Sequence, residues 1–408
     1  MRFPVVQASA MRALLLEQIH PEAVALLRSR GFEVSTLDRA MDEHELIEAV
    51  AGVHLLGIRS KTHVTERVLD AAGQLLSIGA FCIGTNQIDL AAAGARGVTV
   101  FNAPFSNTRS VVELVLAELI ALTRRLVEKN AKMHEGVWDK SASGAHEVRG
   151  RTLGIVGYGN IGTQLSVLAE NLGMRVLFYD TADRLALGNA HRAESLKQLL
   201  HDADVVTLHV DGRPENANIF GEDEFAAMKQ GSLFLNLSRG FVVDYAALRE
   251  HLLAGHIAGA AVDVFPVEPK GRGDEFQSEL RGLPNVILTP HIGGSTEEAQ
   301  YDIGQFVATK FIDFVDEGAT SMAVNVPSLV LPRRGGTLRL AHLHRNVPGV
   351  LARVNGILAE HAVNVEAQLL GTRGELGYLV TDSISGTTQA IVDEIRAMPE
   401  TIKLRVIH

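Results

Sequence analysis

Short apolar runs alternate with helix-length stretches along the first hundred residues. RALLLEQ reads as a strand, and PEAVALLRSRG follows as a helix opened by Pro21 and stopped by Gly31. FEVSTL predicts a second strand and DEHELIEAVAG a second helix. VHLLGIRS, LLSIGAFCI and VTVFNA are further apolar runs bounded by turns or helices. This alternation predicts a parallel sheet with helices on both faces. Residues 108–130 predict one long helix. Ser110 and Glu113 have the spacing of a capping box at its start. VVELVLAELIAL is apolar on nearly every side, which puts the helix in a core or in a subunit interface.

A second series begins at TLGIVGYGNIG and continues through VLFYD, DVVTLHV, SLFLNLS, GAAVDVF and NVILTPH. Each apolar run ends in polar residues, as strands of a doubly wound sheet do where ligands bind at their carboxyl ends. After residue 318 the texture changes. Pro327, Pro332, Gly335 and Gly336 punctuate a stretch without helical period, which reads as a linker. Beyond it, LRLAHLH, PGVLARVNGILAEH, NVEAQLLGT, LGYLVTDSI, TQAIVDEIRAM and IKLRVI give the order βαββαβ of a small ferredoxin-like domain. The predicted class is α/β: two doubly wound parallel-sheet domains, flavodoxin-like and Rossmann, followed by a ferredoxin-like domain.

Composition narrows the function classes. The 408 residues suit two to four domains, and 46% hydrophobic with 21% charged residues argues against extensive disorder. The net charge is -10 and there is no long basic run, so no nucleic-acid partner is expected. The single cysteine, Cys82, excludes an internal disulfide and a cysteine metal cluster; among apolar neighbours it reads as a small buried hydrophobe. No metal is expected. No run reaches the roughly 18 apolar residues of a membrane span. Arg12 and Glu17 interrupt the apolar stretch near the N-terminus, so no signal peptide and a cytoplasmic location are expected.

Gly157, Gly159 and Gly162 form G-x-G-x-x-G between the apolar strand LGIVG and the helix TQLSVLAENLG. That context makes the motif a dinucleotide turn. One glycine permits the tight turn, the second lets a pyrophosphate approach the backbone, and the third lets helix and strand pack. The helix N-terminus adds unpaired N–H groups for the phosphates. The next strand ends at Asp180, eighteen positions after Gly162. An acid there accepts from the adenosine ribose and repels a 2′-phosphate, which favours NAD over NADP.

Hydride transfer at a 2-hydroxy acid also needs a base for the hydroxyl proton, a cation for the carboxylate and a group that orients the base. Arg239 follows SLFLNLS, Glu268 follows GAAVDVF and His291 follows NVILTP, each at a strand end. Singly, each is a common structural residue. The surrounding segments NLSRGFVVD, AAVDVFPVEP and TPHIGGST, with GYGNIG upstream, resemble the D-isomer-specific 2-hydroxyacid dehydrogenases. The resemblance implies that Arg239 binds the substrate carboxylate, His291 is the acid/base and Glu268 hydrogen-bonds the histidine. It also implies cofactor contacts by Asn160 and Ile161 at the phosphate turn, and by Leu237, Ser238, Asp263, Gly293 and Gly294 at the nicotinamide end. A split chain follows: residues 1–106 and 296–325 as substrate domain, including a returning helix near 296–317, and 107–295 as cofactor domain.

GIRSKTHVTE, FCIGTNQIDL and FNAPFSNTRSVVE resemble the branch of that family that acts on D-3-phosphoglycerate. Arg59, Ser60 and Lys61 would supply charge for a phosphate, with Lys140, beside Trp138, and Asn107 as further substrate contacts. Relatives carry Arg where Lys61 stands; lysine keeps the charge and loses the fork. The alternative is that Arg59 and Lys61 serve only the carboxylate or solvent. Residues 337–408 resemble an ACT domain, with His344, Asn346 and Asn364 matching an L-serine site and Pro348 and Gly349 its loop. The alternative is a domain used only for assembly. Gly335–Gly336 would be the hinge that transmits serine binding.

The resemblance thus implies a homo-oligomer, a tetramer, that oxidises D-3-phosphoglycerate with NAD at the start of serine synthesis. L-serine would inhibit it, and 2-oxoglutarate reduction would be a side activity. Two alternatives stay open: another D-2-hydroxyacid dehydrogenase, and an NAD-sensing module that recruits partners.

Overall fold

The computed structural model describes residues 11–269, 273–333, 335–384 and 387–408. Its backbone divides into two units, Met1–Ser106 with Gln300–His408, and Asn107–Ala299. In the first unit, β1 (Arg12–Leu16), β2 (Glu33–Leu37), β3 (Leu55–Ile58), β4 (Ser77–Ala80) and β5 (Thr99–Asn102) form a parallel sheet in the order β2-β1-β3-β4-β5. Every residue of β3, β4 and β5 is buried, which is why these strands read as continuous apolar runs. The helix Pro21–Ser29 starts on its proline, and Gly31 beyond its end has φ 85°. The helix Glu297–Glu317 returns to this sheet. It lies so close that a Cβ on Gly79 would meet Val307 at 2.5 Å and the Phe311 ring at 2.7 Å.

In the second unit, β6 (Thr152–Val156), β7 (Arg175–Tyr179), β8 (Ala190–Arg192), β9 (Val205–Leu208), β10 (Ser232–Asn236), β11 (Ile257–Val262) and β12 (Val286–Leu288) are all parallel. Their order is β12-β11-β10-β9-β6-β7-β8. The chain runs outward from β6 to β8, then crosses back to β9. The crevice beyond the carboxyl ends of β6 and β9 is the switch point where such sheets bind ligands.

The single helix expected over residues 108–130 is two. They are Thr108–Thr123 and Leu126–His134, broken at Arg125 with φ 52°. The expected capping box is also absent. Asn107 stands at the N-cap, Ser110 pairs with Thr296 at 2.8 Å, and Glu113 pairs with Arg109. The first helix packs Val111, Val112, Val115, Leu119 and Leu122 into the core of this unit, whereas the second buries none of its residues.

The C-terminal strands are β13 (Leu338–Arg345), β14 (Val365–Arg373), β15 (Leu376–Ser383) and β16 (Thr401–Ile407). They form an antiparallel sheet in the order β14-β15-β13-β16, the ferredoxin-like arrangement. Helices Val350–Glu360 and Gln389–Arg396 cover one face. From the other face, Ala341, Leu343, Tyr378, Val380 and Ile407 join Phe311, Phe314 and Val315 in one core. Arg405 lies 4.4 Å over the Phe314 ring and donates to the carbonyls of Phe314 and Val315; Arg339 donates to that of Glu317. These cations meet the last carbonyls of the helix Glu297–Glu317, which have no partner within it.

The stretch read as a linker is also built in. Thr320 and Val326 are fully buried, and the Asn325 amide accepts from Val100 N–H and donates to Val98 C=O, both at 2.9 Å. It thereby covers the free edge of β5.

Candidate active site

The turn after β6 is built by its glycines. Gly157 has φ 93°, and a Cβ there would lie 2.6 Å from the His209 carbonyl. A Cβ on Gly162 would lie 2.4 Å from the Gly157 carbonyl. Gly159 differs: nothing stands within 4 Å of its would-be Cβ. Gly159 is the N-cap of the helix Asn160–Asn171 and supplies no side chain to the first N–H groups, and Asn160 and Ile161 are the first helical residues. Asp180, directly after β7, accepts from Tyr158 N–H and Ala182 N–H, both at 2.8 Å. Open backbone, unpaired N–H groups and a fixed acid at the adjacent strand end fit a dinucleotide. His209 beside this turn is pushed down to about 3 by burial and is therefore neutral.

His291 follows β12 in the left-handed region, φ 53°. Its Nδ1 faces both oxygens of Glu268, at 2.9 and 3.1 Å, which leaves Nε2 for a reacting group. The Glu268 hydrogen bond raises the histidine pKa, against burial and the nearby Arg239 charge. Burial pushes the Glu268 carboxyl up, but the His291 hydrogen bond and charge, with Phe265 N–H donating at 3.2 Å, hold it below its ordinary value.

Arg239 follows β10, and its charge favours the ionised Glu268 carboxyl and opposes protonation of His291. Buried Asn236 shapes the loop that carries it. Asn236 Oδ1 accepts from Ser238 N–H and Oγ–H, and Nδ2 donates to the Arg239 carbonyl and to Tyr245 Oη. Leu237 and Ser238 are buried on that loop.

Asp263, directly after β11, is buried under the His291 loop. Its Oδ1 accepts from Thr289 Oγ1–H at 2.7 Å and Ile292 N–H at 2.8 Å, and its Oδ2 from Gly293 N–H at 2.8 Å. Glu118 lies 3.4 Å from the same Thr289 hydroxyl and is pushed up to about 8 by burial and by the Asp263 charge. Gly294 packs on Asn107, whose amide nitrogen would be 2.3 Å from a Cβ there. Asn236, Tyr245, Thr289 and Glu118 were missed from sequence. The one signal available was Asn236, a polar residue inside the apolar run SLFLNLS.

Lys140 lines a cavity of about 480 Å³ with Arg124, Lys129 and His146. Arg59, Ser60 and Lys61 belong to the first unit, on the loop after β3, with Ser60 and Lys61 exposed. In the C-terminal domain, His344 is buried on β13 with Nδ1 on the Arg345 carbonyl and Nε2 without a partner. Asn346 and Asn364 are exposed at the end of β13 and before β14. Gly335 and Gly336 precede β13, Gly336 with φ 82°. Among the described residues no His, Cys, Asp and Glu cluster suited to a metal ion occurs, and no helix is long and apolar enough to cross a membrane.

Residues 116–293 match the family described as D-isomer specific 2-hydroxyacid dehydrogenase, NAD binding domain. Residues 340–403 match the AHAS small subunit-like ACT domain. D-3-phosphoglycerate dehydrogenase of Escherichia coli (strain K12) is 49% identical over 406 residues, covering 99% of each chain. That of Haemophilus influenzae is 48% identical over 401 residues, covering 98% of each. Among solved structures, the TT0316 protein of Thermus thermophilus superposes with a TM-score of 0.68 at 33% identity, over 74% of this chain and 96% of that one.

Proposed function

Because the chain belongs to the D-isomer-specific 2-hydroxyacid dehydrogenases, and within them to the D-3-phosphoglycerate dehydrogenases, we propose that it oxidises D-3-phosphoglycerate to 3-phosphohydroxypyruvate. It is an NAD-dependent oxidoreductase, and the reaction opens the route to L-serine. The observation that carries the reading is the His291–Glu268 pair, with the Arg239 charge acting on both. In the oxidative direction His291 Nε2 takes the proton of the C2 hydroxyl. Glu268 on Nδ1 holds the tautomer and stabilises the imidazolium that forms. Arg239 grips the C1 carboxylate as a fork. Bound NAD supplies the hydride acceptor; the open Gly159 and Asp180 would hold its pyrophosphate and ribose. Leu237, Ser238, Gly293 and Gly294 line the nicotinamide end, and Arg59, Ser60, Lys61, Asn107 and Lys140 serve the phosphorylated end of the substrate.

The same reading assigns residues 1–106 and 296–325 to substrate, 107–295 to cofactor and 337–408 to regulation. L-serine is the effector, held by His344, Asn346 and Asn364. The ACT match over residues 340–403 and the unpartnered buried His344 Nε2 support this. A cytoplasmic homotetramer and a side activity on 2-oxoglutarate complete it. The test is NADH oxidation with 3-phosphohydroxypyruvate, with and without L-serine. Turnover that serine suppresses is expected. Turnover indifferent to serine would remove the effector role, and no turnover would remove the substrate. Silence with 2-oxoglutarate would remove the side activity.

A further inference from the structure

Glu17 stands directly after β1 and has no part in the reaction described above. Glu17 and Gln18 have φ 64° and 55°, so two successive non-glycine residues lie in the left-handed region. Side chains avoid that region unless the surroundings enforce it. The Glu17 side chain is buried, with 8% of the residue exposed. Its carboxylate accepts three backbone N–H groups, from Arg59 at 3.2 Å, Lys61 at 3.0 Å and Thr62 at 2.8 Å. Amides converging on one point form the concavity with which many loops hold a phosphate. Here a carboxylate of the same chain fills it.

The rest of the loop is fixed as well. Gln87 Nε2 donates to the Arg59 carbonyl at 2.6 Å, Val64 N–H donates to the Gln87 carbonyl at 2.8 Å, and Asp89 N–H to the Val64 carbonyl at 3.0 Å. The three amides are therefore engaged inward, while Ser60 and Lys61 are exposed and Arg59 is half-buried. An anion arriving at this loop meets its side chains and not those amides.

We propose that Glu17 is a positioning residue for phosphate recognition: its carboxylate is the resident anion of an amide nest, and it fixes the 59–62 loop so that Arg59, Ser60 and Lys61 present their side chains to the substrate phosphate. The inference rests on the reading of that loop as the phosphate site. The left-handed turn at Glu17 and Gln18 is what brings the carboxylate under the loop.

The test is Glu17→Gln in the full-length enzyme. The amide keeps the volume but turns one acceptor into a donor, opposed to a backbone N–H. Losing one hydrogen bond to a charged group predicts a rise in KM for 3-phosphohydroxypyruvate on the order of tenfold. NADH affinity should stay within about twofold, because the change is uniform substrate binding. Hydroxypyruvate, which has no phosphate, reports whether the effect is specific. The preference for the phosphorylated substrate, as a ratio of kcat/KM values, should fall by the same factor. Should Glu17→Gln fail to fold, Glu17→Asp, which keeps the charge at shorter reach, is read the same way. Arg59→Ala and Lys61→Ala are measured in parallel. If they lose the preference and a folded Glu17 variant keeps it, or loses activity on both substrates alike, the role of Glu17 is overturned and the phosphate site stands. If neither Arg59→Ala nor Lys61→Ala changes the preference, the phosphate site falls and the role of Glu17 with it.

Discussion

Asp263→Asn tests whether the His291 loop is held from below. Asp263 is 1% exposed, and its two oxygens accept three donors: Thr289 Oγ1–H and Ile292 N–H on one, Gly293 N–H on the other. Asparagine offers one acceptor oxygen. If that oxygen faces Thr289 and Ile292, the new NH2 opposes Gly293 N–H. If it faces Gly293, the NH2 opposes Ile292 N–H, while the Thr289 hydroxyl can turn to accept. Either way at least one charge-assisted hydrogen bond becomes a donor–donor contact in a buried site, a loss of about 1.5–3 kcal/mol. His291 sits at φ 53° next to this anchor, and its N–H donates to the Asp263 carbonyl at 2.8 Å. Relaxation of the loop misplaces His291, the proposed base, so kcat should fall roughly 10- to 150-fold. The assay is steady-state NADH oxidation with 3-phosphohydroxypyruvate, beside NADH affinity by fluorescence titration. NADH binding should change less than about threefold, because both oxygens are committed to the protein. An unchanged kcat would refute the bracing argument, and a loss confined to NADH binding would make Asp263 a direct cofactor contact.

Glu268→Gln should move the pH profile. With His291 as the proposed acid of the reductive direction, activity falls as pH rises through its raised pKa; removing the hydrogen-bonded carboxylate, the largest cause of that rise, should bring the falling limb to lower pH, and an unmoved limb would exclude the pairing. Gly162→Ala puts a Cβ 2.4 Å from a backbone carbonyl, and overpacking of about 1–3 kcal/mol should weaken NADH binding on the order of tenfold, as measured by titration. Glu118 has its folded pKa pushed up to about 8, so its favourable contribution is complete below its unfolded value and is lost as pH rises through about 8; melting temperatures should therefore fall less between pH 6 and 9 in Glu118→Gln than in the parent. Asp382→Ala removes the carboxylate that pairs with buried Arg339 and leaves that charge only the Glu317 carbonyl, which should destabilise the C-terminal domain by about 3–5 kcal/mol in denaturant titration; a smaller loss would mean that water reaches the arginine.

The elements legible in the sequence were those whose burial is periodic or complete. Runs such as LLGI and TVFN are buried at every position, so the parallel sheets could be read directly. The break at Arg125 could not. LTRRLVEK contains no glycine or proline, and the residue that takes the left-handed conformation is an arginine, a type that carries no turn signal. The stretch after residue 318 lacks periodicity because its order comes from contacts distant in sequence, Asn325 with Val98 and Val100 above all. Arg239, Glu268 and His291 could be named because whole segments around them resemble a family. Of their supports, only Asn236 left a trace, as a polar residue in an apolar run; Thr289 and Glu118 left none, since a buried polar side chain is identified by its partner. Glu17 shows the limit most clearly: in the sequence it is only a charge interrupting an apolar run.

Three carboxylates in this chain share a position that explains why. Glu17, Asp180 and Asp263 are each the first residue after a parallel strand, β1, β7 and β11. Each accepts backbone N–H groups from the loop that follows the neighbouring strand: 59–62 after β3, Tyr158 after β6, and Ile292 and Gly293 after β12. Where parallel strands end, the adjacent loop has N–H groups with no ladder partner, and burying them unpaired is costly. An acid at the next position of the adjacent strand reaches them. Those loops carry Arg59 and Lys61, the G-x-G-x-x-G turn and His291, so the acids order the backbone that carries the side chains proposed to meet the reactants. A carboxylate at such a strand end therefore acts first on its neighbouring loop. Substitutions that keep its shape and remove its charge should appear in the kinetics of the side chains that loop carries.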